Sequence, residues 1–116
     1  MENIDLAQVF SVLSNPIRLR CLHLVYGHDD VCVCEVVQAL GISQPAASKA
    51  LGALKGIGLL ESRRDANWTY YSLRVDITPW LDTVLKATIS ETATQSPYLD
   101  DRRAFEQLDL RGCATG

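Results

Sequence analysis

Residues 40–64 read LGISQPAASKALGALKGIGLLESRR, and this stretch decides the fold. Gly41-Ile42-Ser43 is a tight turn between two apolar-periodic segments. Ser43 is a natural N-cap, and Gln44-Pro45 opens the next helix because proline suits its first turn. Ala47, Ala50, Leu51 and Leu54 recur at helical spacing as far as Lys55, and Gly56-Ile57-Gly58 ends the run. Beyond it, LLESR (59–63) and WTYYSL (68–73) are strand-like, with the turn residues Asp65-Ala66-Asn67 between them. The pair predicts a β-hairpin.

Working outward, Leu6, Val9, Phe10 and Leu13 predict a helix over 4–14. Asn15 and Pro16 stop and restart the chain. A second helix carries Ile17, Leu19, Leu22 and Leu24 and ends near Tyr26-Gly27. Asp29 or Asp30 caps a third, with Val33, Val36, Val37 and Leu40 on its apolar side. Downstream, Pro79 opens a fifth helix holding Leu81, Val84, Leu85 and Ile89. The expected organisation is one domain over 1–95, then a polar tail, 96–116, with a short helix near 100–108 and Cys113 beyond it. The order α-α-α-α-β-β-α describes a mainly α, winged helix-turn-helix with the hairpin as its wing.

A chain of 116 residues has room for one modest core, which a dimer would enlarge. No run of 18 apolar residues predicts a membrane span, and Met1-Glu2-Asn3-Ile4-Asp5 lacks a secretion signal's basic start. The expected location is the cytoplasm, where thiols stay reduced, so four cysteines suggest metal or redox chemistry. The net charge of −3 is unevenly spread. Residues 43–74 hold Lys49, Lys55, Arg63, Arg64 and Arg74 against only Glu61 and Asp65, while both flanks are acidic. Such a chain meets phosphate through one face. No Ser-His-Asp order, nucleotide loop, HExxH or CxxC is present, so no enzyme is expected.

LGISQPAASKALGALKGIGLLESRR and the hairpin end NWTYYSL, preceded by LSNPIRLRCLHL and VCVCEVV, resemble the ArsR/SmtB family of metal- and metalloid-responsive repressors over residues 8–75. The resemblance implies a homodimer, with the first and last long helices at its two-fold axis, bound to double-stranded operator DNA. In a helix-turn-helix the N-terminal end of the second helix reads the major groove. That end holds Ser43, Gln44, Ala46, Ala47, Ser48 and Lys49. Hydroxyls bond phosphate or base, glutamine pairs adenine, and lysine reaches guanine or phosphate. Arg63, Arg64 and Asn67 lie at the hairpin tip, where a wing touches backbone or minor groove. The family has an Arg-His or similar pair where this chain has Lys49-Ala50, which leaves the operator sequence open.

VCVCEVV resembles the family's arsenic- and cadmium-type box, which makes Cys32 and Cys34 the candidate ligands. Thiolates select thiophilic ions such as zinc, cadmium, lead and trivalent arsenic; buried cysteines can equally serve as small apolar residues. Positions i and i+2 lie roughly 200° apart on a helix. Within a regular third helix both thiolates therefore grip one ion only if its end unwinds or bends, which would misplace the reading helix.

Many arsenic-responsive members place a third cysteine where this chain has Val37. The third sulfur is then Cys113, Cys21 or an exogenous thiol such as glutathione. Cadmium/lead members add cysteines near the N-terminus, and residues 1–20 contain none. Zinc-type members use carboxylates and histidine on the last long helix, where Asp82 and Glu91 stand without one. His23 is expected on a helix surface and His28 in a loop. The resemblance thus implies trivalent arsenic, or antimony, as inducer, with no organic cofactor, releasing the operator of a resistance operon. A redox- or persulfide-responsive repressor, or one answering to cadmium, lead or zinc, remains the alternative.

Overall fold

Helices begin in this chain where a side chain takes up orphan backbone N–H groups. The computed structural model describes residues 5–108. Asp5 accepts from the Ala7 N–H at 3.0 Å and caps α1 (Leu6–Leu13). Asn15 accepts from Ile17 and Arg18 at 2.9 and 3.1 Å, ahead of Pro16, the first residue of α2 (Pro16–Gly27). Caps of this kind contribute about 1 kcal/mol each. Residues 21–25 of α2 are all buried, so α2 is wrapped by its neighbours rather than lying on one side of them.

Next come β1 (Val31–Cys32), α3 (Val33–Leu40) and α4 (Gln44–Gly56). Gly41, at φ +67°, ends α3 in the left-handed conformation that glycine adopts without strain. Its N–H returns to Val37 O at 3.0 Å. Ser43 then caps α4, accepting from Ala46 N at 3.3 Å. The wing is β2 (Leu60–Asp65) and β3 (Trp68–Leu73), followed by α5 (Pro79–Thr92) and α6 (Tyr98–Glu106). The three strands pair antiparallel in the order β1-β3-β2. Val9, Leu22, Leu24, Val36, Leu51, Leu54, Leu59, Leu81 and Leu85 form one closed core. Truncating a sealed leucine such as Leu51 to alanine costs about 2–5 kcal/mol. No helix among the described residues is long and apolar enough to cross a membrane.

The architecture is the expected winged helix-turn-helix, with three local departures. The third helix begins at Val33 with Cys32 as its N-cap, and neither Asp29 nor Asp30 holds that position. Asp30 has φ +43°, outside the right-handed helical region, and Val31 and Cys32 run extended along the free edge of β3. Second, the short helix expected near 100–108 is present as α6, but it packs on α2 and α3 where the sequence alone predicts a polar tail over 96–116. Asp101 of α6 is buried and receives two hydrogen bonds from Arg20, so the described part of that segment belongs to the same body. Third, His23, expected on a helix surface, is only 9% exposed because Tyr98 of α6 stacks on its ring at 4.0 Å.

Candidate nucleic-acid interface and thiolate site

The first turns of α4 divide cleanly by burial. Gln44, Ser48 and Lys49 are exposed, as is the cap Ser43, and Ala46 is half-buried. Ala47, also expected at the DNA face, is fully buried in the core. Its methyl group is sealed in the core, away from a groove; the helical period that exposes Ser48 hides Ala47. The positive end of the helix dipole and the free N–H groups of this first turn favour a phosphate beside Ser43 and Gln44. Lys55, in the last turn, donates to Ser62 Oγ at 2.8 Å and ties the reading helix to β2.

At the wing tip Arg64 and Asn67 are exposed, and among the described residues no ion pair holds Arg64. Arg63 is engaged. Its Nε donates to Asp30 Oδ2 at 3.1 Å, its Nη2 bonds the same oxygen, and its guanidinium lies 4.6 Å from the centroid of the Tyr70 ring. Ala66, at the turn, has φ +55°.

Cys32 and Cys34 straddle a structural boundary. Cys32 is the extended N-cap of α3 (φ −79°, ψ 145°), whereas Cys34 lies in its first turn. The two sulfurs are consequently 3.3 Å apart, with Cys32 5% exposed and Cys34 half-buried. Glu35 fixes the junction, its Oε1 accepting from the Cys32 N–H at 2.8 Å. The expectation that both thiolates meet only if a helix end unwinds is therefore corrected: the chain is already extended at Cys32. The spacing also tests the ion. With sulfur–ion bonds of about 2.3 Å, a near-perpendicular angle sets two sulfurs about 3.3 Å apart, and a tetrahedral angle about 3.8 Å. The separation of the pair matches the pyramidal geometry.

The remaining candidates are dispersed. Cys113 lies outside the described residues. Cys21 is sealed in α2, and burial pushes its thiol up to about 12, far from thiolate at neutral pH. Val37 packs against the core. Asp82 of α5 accepts from the Tyr26 hydroxyl at 3.4 Å, and Glu91 is exposed. His28 donates from Nδ1 to Leu24 O at 2.9 Å, and Phe105 of α6 leans on its ring. Among the described residues no group of three or more histidines, cysteines and carboxylates could hold a metal ion.

Sequence reasoning missed two features near the sulfurs, a strand and the packing of a helix. One is β1 itself, which puts Cys32 opposite Tyr70. The other is the packing of α6, a helix that the sequence predicts but does not place: its end lies against the segment leading to the cysteines, with Glu106 Oε2 3.8 Å from His28 Nε2. A cavity between α2, α5 and α6, lined by His23, His28, Ile89, Tyr98 and Arg102 among others, has a volume of about 70 Å³. Organic ligand sites run to roughly 300–1,000 Å³.

A family model described as bacterial regulatory protein, arsR family, matches residues 15–62. The chain is 37% identical over 81 residues to the arsenic resistance transcriptional regulator ArsR1 of Pseudomonas putida, across 70% of this chain but only 63% of that one. The arsenic resistance transcriptional regulator ArsR2 of the same organism is 37% identical over 103 residues, 89% of this chain and 88% of the relative. Among solved structures, the homodimeric winged helix-turn-helix DNA-binding domain of a Mycobacterium bovis protein superposes with a TM-score of 0.62 at 28% identity. That match covers 77% of this chain and 81% of the other.

Proposed function

The chain belongs to the ArsR family of bacterial regulatory proteins, and from that footing we propose that it is an operator-binding repressor released by trivalent arsenic, or antimony, at cysteine thiolates. The observation that carries this reading is the Cys32–Cys34 sulfur pair, 3.3 Å apart at the head of the helix that precedes the reading helix. Soft, closely set thiolates favour thiophilic ions, and the reducing cytoplasm is where they stay available.

Double-stranded DNA meets Ser43, Gln44, Ala46, Ser48 and Lys49 of α4, with Arg64 and Asn67 of the wing on the flanking backbone. The working species is a homodimer. Supporting this, Leu6 and Phe10 of α1 and Trp80 of α5 are each 45–49% exposed, an apolar surface on the two helices expected at the two-fold axis. The M. bovis relative is itself homodimeric.

The third sulfur comes from Cys113. Glu106 already lies against His28, four residues ahead of Cys32. Cys113 is seven positions beyond Glu106, a chain reach of up to about 24 Å. The bound ion would add no proton chemistry; it would fix three thiolates around one centre at the β1–α3 junction.

Fluorescence anisotropy on operator DNA under reducing conditions tests the reading. Arsenite should release wild-type protein, and Cys32→Ser and Cys34→Ser should hold DNA while ignoring it. Truncation before Cys113 should weaken the response at least tenfold. DNA binding that no thiophilic ion disturbs would refute the sensor and leave the repressor.

A further inference from the structure

The sulfur pair and the wing share one sheet. Cys32 of β1 faces Tyr70 of β3, and Tyr70 faces Arg63 of β2, so the three residues form a single row across the strands. Directly opposed residues point to the same side of a sheet and their side chains are neighbours. The row is closed by a loop: Arg63 stacks on Tyr70 and bonds Asp30, two residues ahead of Cys32. Asp30 holds a left-handed backbone conformation, φ +43°. Strain of that kind persists where surrounding contacts enforce it, and it sits where the chain enters β1.

We propose that the row Cys32–Tyr70–Arg63, fastened by Asp30, is the path by which occupancy of the thiolates moves the wing, with Arg63 a positioning residue and Arg64 the wing's phosphate contact. The proposal rests on the sensor reading above. An ion that draws a third sulfur onto Cys32 and Cys34 pulls on the end of β1. Because β1 is two residues long and held on one side only, the pull passes to β3 through Tyr70 and to β2 through the Asp30–Arg63 strap. Arg63 so committed is not available to DNA. Arg64, with no such partner among the described residues, is.

Full-length Asp30→Asn, Arg63→Gln and Arg64→Gln separate the roles. Asparagine tolerates the left-handed conformation at least as well as aspartate, so Asp30→Asn removes the charge without adding backbone strain. Two quantities are read on operator DNA: the slope of log affinity against log salt without ion, and the fold-loss of affinity on adding arsenite. Arsenite loading is followed separately by near-ultraviolet arsenic–thiolate absorption.

Arg64→Gln should reduce the salt slope by about one unit per protomer. Asp30→Asn and Arg63→Gln should keep the slope and still load arsenite, but lose DNA less than threefold where the wild type loses more than tenfold. An Arg63→Gln slope that falls as Arg64→Gln does would overturn the assignment of Arg63. Wild-type release with unchanged responses in Asp30→Asn and Arg63→Gln would overturn the coupling alone. A wild type that holds DNA through every ion would remove the sensor reading and the coupling together.

Discussion

Replacing Asp101 with alanine should unfold this protein far more readily than its place near the end of the chain suggests. Arg20 donates from Nε and Nη2 to the two carboxylate oxygens of Asp101, at 2.8 and 2.7 Å, and Nη2 also reaches Leu40 O at 3.2 Å. The Asp101 side chain is 4% exposed and that of Arg20 20%. Removing one partner of a fully buried pair costs about 3–5 kcal/mol, because the other charge is left without a counter-ion. Arg20 retains some water and the Leu40 carbonyl, which lowers the estimate to about 2–3 kcal/mol. At about 4 °C per kcal/mol for a chain of this size, the melting temperature should fall by roughly 8–12 °C. Urea denaturation of wild type, Asp101→Ala, Arg20→Met and Arg20→Met with Asp101→Leu measures the pair as a cycle. The double variant should recover most of the loss, since two apolar side chains leave no buried charge. A loss below about 1 kcal/mol for Asp101→Ala would refute the argument and mean that α6 is held by its apolar contacts alone.

Three further outcomes are expected. Burial holds the His23 imidazole below its ordinary pKa, with Asp101 partly opposing, so the folded protein keeps it neutral where the unfolded chain binds a proton. This contribution is fully present above about pH 6.5 and is lost as pH falls below it, so His23→Gln should flatten the stability profile between pH 7 and 5, read by thermal melts. Ala66→Gly relieves a positive φ at the hairpin turn and should raise stability by about 0.5–1 kcal/mol; an unchanged midpoint would mean the turn relaxes in solution. Cys21, with its thiol pushed up to about 12, should resist iodoacetamide at pH 8 in the native state and react in urea, as mass spectrometry of tryptic peptides would show.

Local rules were enough for much of this fold. Asn15-Pro16, Gly41-Ile42-Ser43 and the Asp65–Trp68 turn each carry chemistry that works over three or four residues, and each element boundary they imply is found within a residue or two. What was not legible depends on partners far along the chain. YLDDRRAFE, the sequence of α6, is polar enough to look solvated, yet Asp101 is anchored by a residue 81 positions away. His23 looked exposed for the same reason, because the ring that covers it belongs to α6. Ala47 sits in a stretch of small residues where composition does not separate a core methyl group from a groove contact; only the phase of the helix does. Arg63 and Arg64 are adjacent and identical in type, and the difference between them is Asp30.

The β1–α3 boundary has the largest consequence for mechanism. VCVCEVV is apolar at both helical and extended periods, so periodicity alone does not choose between them. The choice is made by β3, whose free edge takes Val31 and Cys32, and by Asp30, whose conformation forbids a helix start. Had the helix begun at residue 30, ligand binding would have had to break helical hydrogen bonds to bring the sulfurs together, and affinity would be reduced by that cost. On the proposed reading, sulfurs held 3.3 Å apart leave little of an ion's binding energy to be spent on bringing them together. That energy would instead be available for drawing in the proposed third donor, and so for the proposed displacement of β1 against the sheet. Only a difference in ion affinity between the DNA-bound and released forms can shift that equilibrium, and the displacement of β1 is where such a difference can arise.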